Sequence, residues 1–551
     1  SKPLSEYTKE ELIDLVGSLK KQKKFGLVWE DKPEKVATDC EVKLPVVKEV
    51  VEKAINEAGD DEPTNIIIEG DNYHALSVLN YTHPHEIDVI YIDPPYNTKS
   101  KDFMYNDKRI DTEDAFRHSK WISFMEKRLQ LAKSLLSRDG VIFISIDDNE
   151  FAHLRILCDQ IFGEKNLVGN IDWESKTKSQ NTKTAYDKLQ PKVEHILCYA
   201  RGGTKRHFNL TTNGQKEYPF SDGMGQYRER QLEIMNANGV RGRETMVFEI
   251  DGIRPPVGKQ WQLGQEKIEE FRRRGDLFIR DGQVILKMRP IDERSEKTEP
   301  FWGFLSKEIG TAESGKKELT DIIGKDHGFE TVKPTELIKR LCFHASNTDS
   351  IILDFFAGSG TTGQAVLELN RDDGGKRQFI ICTDNKQKEG FIAEKIAYPR
   401  IYSITHGFKN KDGEDDVLPA NVRYFKTEFV EKDETPDVLR RKLSPACEDM
   451  IRIREGAFDR VVDEDLFKVF KNSRGLTAVI FDRFDLQEYI DRLEETETDT
   501  PIHLYVFSYS KNNRLDELHG KLKHKYESQP IPEGVLEIYK KIFKNSKGGR
   551  K

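Results

Sequence analysis

Cysteine is scarce in this chain of 551 residues, and none of its six cysteines pair at the spacing of a metal site. Most lie inside apolar runs such as "HILCYA" and "FIICTD", which predicts buried, reduced thiols. No apolar run reaches the ~18 residues of a membrane span, and no signal peptide is recognised. We therefore expect a cytoplasmic protein without a metal site, and exclude a disulfide scaffold or a membrane-spanning chain.

The chain also lacks a strong charge bias. Lys and Arg number 88 and Asp and Glu number 96, which gives a net charge of -8. This balance neither favours nor excludes nucleic acid as a partner. Residues 171–330, however, carry a small positive net charge in an otherwise acidic chain, which is the relative bias that phosphate contact requires. Helicase motifs, nuclease motifs and internal repeats are all missing.

Short β-branched runs alternate with helical patterns over much of the chain. The runs are continuous rather than alternating, as in strands buried on both faces. They include "NIIIEGD" (65–71), "IDVIYID" (87–93), "GVIFISID" (140–147) and "EHILCYA" (194–200). Strand–helix–strand alternation predicts an α/β fold with a doubly wound, Rossmann-like parallel sheet.

The texture of the chain changes twice, which predicts an insertion. Glycines and single charges are scattered from about residue 203, and the α/β pattern returns at "SIILDFFAGSGTTG" (350–363). One sheet is therefore encoded in two segments around a mostly β domain. The predicted regions are a helical arm containing "KKQKKF" and "VVKEVVEKAI" (1–60), a first α/β segment (61–203), the insertion (204–325), a second α/β segment (326–425) and a C-terminal α/β domain (426–551).

The glycine-rich stretch "LDFFAGSGTTG" (353–363) follows a predicted strand and opens a helix. It lacks the lysine of a phosphate-gripping P-loop. Gly363 formally completes a dinucleotide fingerprint, and the same loop also suits S-adenosylmethionine; a tight turn without a ligand is the third alternative. Asp384, at the end of the next strand, is the candidate acid for a ribose diol, or an ordinary strand-end acid.

The stretch "DPPYNT" (93–98) places an acid, two prolines and an aromatic ring at the end of a buried strand. A carboxylate at Asp93 and a backbone carbonyl can accept both hydrogens of an aromatic amine and so increase its nucleophilicity. Pro94 and Pro95 stiffen that backbone, and the Tyr96 ring can stack on a base. The alternative is a proline-rich strand exit with a buried tyrosine.

These motifs, in this order, resemble DNA adenine-N6 methyltransferases of the β group, most closely the modification subunits of type III restriction–modification systems. Further similar stretches are "KKFGLVWEDKPE", "NIIIEGDNYHAL", "RHSKWISFMEKRL", "GVIFISIDDNE" and "TVKPTELIKRL". The resemblance implies that Asp93 and the Pro94 carbonyl hold the adenine amine, and that Tyr96 stacks on the flipped base. It places S-adenosylmethionine against Asp71, Asn72, Phe355, Ala357, Gly358, Gly360, Thr361 and, less regularly, Asp384. Asp71 alternatively caps a helix.

The implied function is methyl transfer from S-adenosylmethionine to adenine N6 in double-stranded DNA, with residues 204–325 as target-recognition domain. The cations proposed to contact DNA are Arg254, Lys259, Arg272, Arg273 and Arg274, although solvated loops would have the same composition. The implied partners are a second copy of the chain and an ATP-dependent restriction subunit. The alternatives are a stand-alone enzyme, an enzyme of RNA or single strands, N4-cytosine specificity, an inactive DNA-binding subunit, or a nucleotide-dependent dehydrogenase.

Overall fold

A computed structural model of the chain describes residues 8–12, 29–98, 104–105, 108–109, 114–178, 189–202, 207–237, 242–293, 296–385, 391–409, 413–433, 435–481, 486–494, 500–509 and 525–547. The chain divides into two compact units, one formed by Ser1–Phe208 with Trp302–Lys551 and the other by Asn209–Phe301. The smaller unit is therefore inserted in the larger one, over a narrower range than the 204–325 predicted for the insertion.

The strands are numbered along the chain, leaving out the two-residue strands Ile55–Asn56, Met104–Tyr105, Lys108–Arg109, Phe408–Lys409 and Asp415–Asp416. Before the insertion they are β1 (Lys43–Glu49), β2 (Thr64–Glu69), β3 (Ile87–Ile92), β4 (Leu136–Ile146), β5 (Leu167–Trp173) and β6 (Glu194–Ala200). The insertion contains β7 (Thr211–Gln215), β8 (Phe220–Asp222), β9 (Gly225–Gln231), β10 (Ile234–Asn236), β11 (Lys259–Trp261), β12 (Leu277–Arg280), β13 (Gln283–Met288) and β14 (Glu296–Glu299). After it come β15 (Phe304–Leu305), β16 (Ile351–Asp354), β17 (Gln378–Thr383), β18 (Asn421–Glu431), β19 (Asp459–Asp463), β20 (Phe467–Asn472), β21 (Gly475–Ile480), β22 (Ile502–Phe507) and β23 (Tyr526–Ile531).

The helices are numbered in the same way. The larger unit contains α1 (Lys35–Asp39), α2 (Asn72–Thr82), α3 (Arg117–Leu135) and α4 (Phe151–Cys158), and the insertion contains α5 (Gln265–Arg273). The remaining helices are α6 (Ala312–Ile323), α7 (Thr335–Ala345), α8 (Thr361–Asp373), α9 (Tyr398–His406), α10 (Pro436–Ala446), α11 (Glu448–Glu455), α12 (Leu486–Glu494) and α13 (Glu533–Lys547). No helix within the described part of the chain is long and apolar enough to cross a membrane.

Strands from both sides of the insertion form one mixed sheet, in the order β1-β18-β2-β17-β16-β3-β4-β6-β5-β15. The six strands from β18 to β4 are mutually parallel. β1 pairs antiparallel with β18 at one side, and β6 and β5 continue the sheet antiparallel at the other. The predicted Rossmann-like α/β sheet encoded in two segments is confirmed.

The centre of this sheet is covered on both faces. Ile66, Ile67 and Ile68 are successive residues of β2, so their side chains alternate between the faces, and all three are fully buried. Ile90 and Ile92 of β3 are equally buried. Continuous apolar runs in the sequence therefore correspond to strands between two layers of helices, as predicted.

The helical interpretation of "VVKEVVEKAI" is wrong. The structure places its first residues in β1, which pairs with β18 from Lys43↔Glu431 to Glu49↔Phe425, and a short 3-10 turn follows at Val51–Lys53. Val46 and Val47 are buried by this pairing. A strand partner almost 400 residues away overrides the local pattern, because β propensity depends on packing against neighbours. The segment "KKQKKF" lies outside the described residues.

The inserted unit is mostly β. β8, β9, β13 and β12 form an antiparallel sheet, while β7 pairs with β14 and β10 with β11. Helix α5 contributes Ile268 and Phe271 to a core that also contains Trp261, Leu286 and Met288. The unit therefore has a hydrophobic core of its own.

The C-terminal region adds a second sheet to the larger unit, in the order β19-β20-β21-β22-β23. Its first three strands are antiparallel and its last three are parallel. Helix α12 connects the parallel strands β21 and β22. This region contacts the main sheet through a buried ion pair between Arg452 of α11 and Glu49 of β1, at 2.6 Å. The predicted α/β character of the C-terminal region is therefore confirmed.

Candidate active site

"DPPYNT" and the glycine loop follow two neighbouring strands of the sheet. Residues Ile352 and Leu353 of β16 pair in parallel with Val89 and Ile90 of β3. "DPPYNT" follows β3, and the glycine loop follows β16. Both therefore lie at the carboxyl edge of adjacent strands, where open α/β sheets bind their ligands.

The glycine loop turns sharply between β16 and α8. Gly358 and Gly360 have positive φ angles of 48° and 77°, a region that glycine enters without steric cost. The Ala357 N–H donates to the Cys382 carbonyl of neighbouring β17 at 3.1 Å, which holds the loop over the strand ends. A Cβ atom on Gly358 would lie 3.2 Å from the Phe329 ring, so the loop is already closely packed there.

Asn72 joins helix α2 to this loop. Its Nδ2 donates to the Phe355 carbonyl at 3.1 Å, and its Oδ1 accepts from the Arg128 Nε. Asp71 is the N-cap of α2, since its Oδ1 accepts from the Tyr73 N–H at 2.8 Å. The helix-cap alternative for Asp71 is therefore realised, and a ligand at this residue would share the carboxylate with the cap.

The residues of "DPPYNT" each have a different environment. Asp93 is half-buried, and its Oδ1 accepts from the Tyr96 hydroxyl at 2.8 Å. The Trp121 Nε1 donates to the Pro95 carbonyl at 2.6 Å. The Pro94 carbonyl accepts no hydrogen bond from any residue that the structure describes. Of the two proline carbonyls, that of Pro94 is thus the one with spare acceptor capacity.

A buried lysine completes this group, and sequence reasoning missed it. The Lys333 Nζ lies 2.9 Å from Asp93 Oδ1, 2.8 Å from the Tyr96 hydroxyl and 3.2 Å from Glu194 Oε2. The Tyr96 hydroxyl is also 3.1 Å from Glu194. Lys333 precedes α7, and Glu194 opens β6. Long-range topology brings both to the end of β3.

The opposite charges of Lys333, Asp93 and Glu194 stabilise one another in their ionised forms. Burial disfavours the ammonium of Lys333, yet the carboxylates of Asp93 and Glu194 hold its pKa above the ordinary value. Burial likewise disfavours the carboxylate of Glu194, and the neighbouring Lys333 holds the pKa of Glu194 below its usual range. The pKa of Tyr96 is raised by burial and by Asp93, so its hydroxyl stays protonated.

A comparison with known protein families shows to which family this chain belongs. A family model described as DNA methylase matches residues 87–395, a range that includes both motifs and the insertion. The chain belongs to the DNA methylase family. The methylase region thus contains the strand that carries Asp93 and the strand that carries the glycine loop.

Three curated relatives of this methylase show how far the similarity extends. The Mod subunit of the type III restriction–modification enzyme StyLTI from Salmonella typhimurium is 34% identical over 370 residues, covering 62% of this chain and 56% of the relative. The EcoPI Mod subunit from Escherichia phage P1 is 31% identical, covering 62% and 61%. The type II methyltransferase M.KpnI from Klebsiella pneumoniae is 32% identical, covering 63% and 87%. The chain thus spans 56–61% of the length of the two type III relatives.

Solved structures of similar proteins are more distant. PvuII DNA methyltransferase, described as cytosine-N4-specific, is 13% identical with a TM-score of 0.33, covering 65% of this chain and 98% of that one. This similarity is too low to transfer any property to the methylase.

A network beside the active site fixes the loop after Tyr96. Asn97 has a positive φ of 55°, and its Nδ2 donates to Glu150 Oε1 at 2.5 Å. The fully buried Glu150 also pairs with His118 Nδ1 at 2.6 Å and with His153 Nδ1 at 2.7 Å. These three residues are potential metal ligands, but Arg117 Nε donates to His118 Nε2, so His118 Nδ1 carries the proton that bonds Glu150. The cluster therefore serves as a hydrogen-bond network that holds Asn97.

Asp384 follows β17, as predicted. Its Oδ1 accepts from the Asn385 N–H at 2.7 Å, and its carbonyl accepts from the Ala393 N–H. Thr361, the first residue of α8, is buried, and its hydroxyl accepts from Arg400 Nη1 at 2.6 Å. Asp384 thus lies just beyond the carboxyl end of β17, whereas Thr361 is buried and its hydroxyl is bound by Arg400.

Asp354, the last residue of β16, is a buried acid that the sequence did not single out. Burial raises its pKa to about 7, against hydrogen bonds from Thr362 Oγ1 and the Phe356 N–H that lower it. Between its ordinary value of 3.8 and about 7, the native state therefore binds a proton that the unfolded chain releases. This contribution to stability is present at low pH and is lost as the pH rises through that range.

The variant Asp354→Asn is neutral at every pH and should lack this dependence. We expect the free energy of unfolding of the wild type, relative to that of the variant, to fall between pH 5 and pH 7. The slope should approach about 1.4 kcal/mol per pH unit, the value for one proton. Urea unfolding of both proteins across this pH range measures it, and parallel pH profiles would contradict the assignment.

The predicted DNA-contacting cations of the inserted unit differ in side-chain exposure and in the partners that they already bind. The Arg254 side chain is 72% exposed and pairs with Glu249, and Arg273 is also exposed. Lys259 bonds the Asn236 side chain, and Arg272 pairs with Asp251 and Glu269. Arg274 is half-buried, between Asp276 and Asp292. Arg254 and Arg273 are therefore the most accessible of the five, and Arg274 has a structural role.

Proposed function

We propose that this protein is an S-adenosylmethionine-dependent DNA methyltransferase that modifies the N6 amine of a flipped-out adenine in double-stranded DNA. The observation that carries the proposal is the adjacency of β3 and β16. It brings an amine-accepting carboxylate, Asp93, and a tight glycine loop to neighbouring strand ends. Membership of the DNA methylase family supports the same reaction class.

Asp93 and the Pro94 carbonyl would accept the two hydrogens of the target amine. An exocyclic amine is a weak nucleophile because its lone pair is delocalised into the base. Two acceptors return electron density to the nitrogen and stabilise the positive charge that develops on it, the counterpart of an oxyanion hole. The Pro95 carbonyl is already used by Trp121, which leaves that of Pro94 for this role.

Tyr96 would provide the stacking surface for the flipped base. Its hydroxyl accepts from Lys333 and lies 2.8 Å from Asp93 and 3.1 Å from Glu194, either of which can accept its single hydrogen; these contacts fix the position of the far end of the side chain. Stacking of one base on an aromatic ring contributes about 1–3 kcal/mol, which offsets a few kcal/mol of unstacking during base flipping.

The glycine loop fits a cofactor that approaches the backbone closely. Gly358 and Gly360 adopt conformations that L side chains avoid, and they let the backbone turn tightly between β16 and α8. S-adenosylmethionine would supply a methyl group on a positively charged sulfur. We propose that the residues around it are Phe355, Ala357, Gly358, Gly360 and Thr361 at the loop, with Asp71, Asn72 and Asp384 at the adjoining strand ends.

We further propose the inserted region, 204–325, as the target-recognition domain. Its exposed cations, foremost Arg254 and Arg273, would contact phosphates or base edges in the major groove. Lys259 would have to leave the Asn236 side chain to join them, and Arg272 and Arg274 would have to leave their acidic partners.

The similarity to Mod subunits leads us to propose a type III modification subunit. Under this proposal the methylase is a cytoplasmic homodimer that pairs with a separate ATP-dependent restriction subunit. A stand-alone methyltransferase is the alternative, and the similarity to M.KpnI over 87% of that enzyme favours it. Light scattering of the purified chain would test the dimer.

The decisive experiment incubates the chain with tritiated S-adenosylmethionine and unmethylated genomic DNA, followed by single-molecule sequencing of the product. We expect label on adenine within one recurring sequence. Label on cytosine would retain the methylase family and overturn the adenine assignment. Binding of the cofactor without any labelled DNA would overturn the proposed activity.

A further inference from the structure

Lys333 has all of its hydrogen-bonding capacity directed at the proposed amine clamp. An ammonium group has three donors and no acceptor. Here the three oxygens within reach belong to Asp93, Tyr96 and Glu194, at 2.9, 2.8 and 3.2 Å. The Lys333 side chain is 4% exposed, and that of Glu194 is 11% exposed. A lysine held in this way has a single well-defined position.

This contact orients the carboxylate of Asp93. Its Oδ1 accepts from both Lys333 and the Tyr96 hydroxyl. Its Oδ2 accepts no hydrogen bond from the residues described in the structure. One oxygen is thus fixed by the protein, and the other remains available at the carboxyl edge of β3. The Tyr96 ring is anchored by the same ammonium.

Glu194 supplies the second negative charge that Lys333 requires. With Asp93 and Glu194 ionised, the group carries a net charge of minus one. Without Lys333, two carboxylates would share a mostly buried site with no cation between them, and their repulsion would disturb the present orientation of Asp93.

We propose that Lys333 is a positioning residue of the amine clamp, with Glu194 as its counter-charge. Lys333 holds Asp93 so that Oδ2 faces the incoming amine, and it fixes the position of the Tyr96 hydroxyl and therefore of the far end of the ring. It exchanges no proton with the substrate. This inference rests on the proposed methyltransferase function and assigns a role to the lysine of "TVKPTELIKRL".

The test compares Lys333→Met with the double variant Lys333→Met/Glu194→Gln, which removes the buried charge of Glu194 together with that of Lys333 and so keeps the net charge of the group. For each variant we would measure thermal stability, S-adenosylmethionine affinity, DNA affinity and the single-turnover rate of methyl transfer. The single variant should be unstable, because it leaves Glu194 without its partner. The double variant should regain stability.

Transfer should stay slow in the double variant. We expect affinities for cofactor and DNA within about threefold of wild type, and a transfer rate about 10²-fold lower, the effect of a misplaced catalytic group. Lys339→Met is the matched control: Lys339 lies in α7 and pairs with Asp372, away from Asp93. It should transfer at the wild-type rate.

The outcomes separate the two roles. If the double variant recovers both stability and transfer to within a few-fold of wild type, Lys333 is only structural and the inference is wrong. If the wild type itself labels no DNA, the proposed function fails, which is a different result from a slow variant of an active enzyme.

Discussion

Asp93→Ala should lower the single-turnover rate of methyl transfer by about 10²–10³-fold or more, while the affinity for S-adenosylmethionine stays within a few-fold. Removal of a preorganised hydrogen-bonding group from the place where charge develops has effects of this size in other enzymes. Here the substitution also removes a negative charge beside the nitrogen that becomes positive. The cofactor loop belongs to a different strand, so its geometry should persist. Rapid-quench transfer assays and calorimetric cofactor titration provide the two measurements.

Two companion variants sharpen this prediction. Asp93→Asn keeps the shape of the side chain and one acceptor oxygen but loses the charge, so its rate should fall between those of wild type and Asp93→Ala. Asp148→Ala removes a highly exposed acid just beyond neighbouring β4 and should leave transfer unchanged. Near-full activity in Asp93→Ala would show that the amine is not held by this carboxylate.

Arg128→Met should destabilise the protein by about 3–5 kcal/mol, the range observed when one partner of a buried ion pair is removed. The guanidinium of Arg128 is fully buried and pairs with both oxygens of Glu34, at 2.8 and 3.0 Å, and with Asp71. It also bonds the Asn72 side chain, which reaches the glycine loop. Its loss leaves two carboxylates near each other without a cation. Urea unfolding followed by circular dichroism measures the change.

The matched control for this variant is Arg492→Met. Arg492 pairs with both oxygens of Glu464, at 2.7 and 2.8 Å, but both side chains are partly exposed. Exposed ion pairs contribute at most about 1 kcal/mol. Equal losses in the two variants would mean that burial of the Arg128 pair does not determine its contribution.

The positions of the two motifs could be predicted from the sequence because each directly follows a continuous apolar run. Parallel strands present their carboxyl ends at one edge, so the sequence alone predicts that Asp93 and Gly358 lie at the same edge of the sheet. The two-segment sheet followed from the same runs. Local chemistry was sufficient for these elements.

The roles of Lys333 and Glu194 could not be predicted from the sequence, because they depend on packing across the whole sheet. Glu194 lies at the start of β6, which joins the sheet beside β4, and no local pattern specifies that neighbour. One signal was present: Lys333 directly precedes the N-cap of α7, and the helix dipole disfavours a cation at this end unless acidic groups lie nearby. For β1 the local pattern gave a wrong prediction: "VVKEVVEKAI" has a helical pattern, but pairing with β18 makes its first residues a strand.

The strand order has a consequence for how the protein is made. β2 and β3 emerge early from the ribosome, yet they are not neighbours, because β17 and β16 lie between them. These two strands are synthesised only after the inserted unit. Until then the edges of β2 and β3 lack their final partners, and such edges invite association with other chains. We therefore expect the inserted unit, which has its own core, to complete its fold during translation while the main sheet closes late.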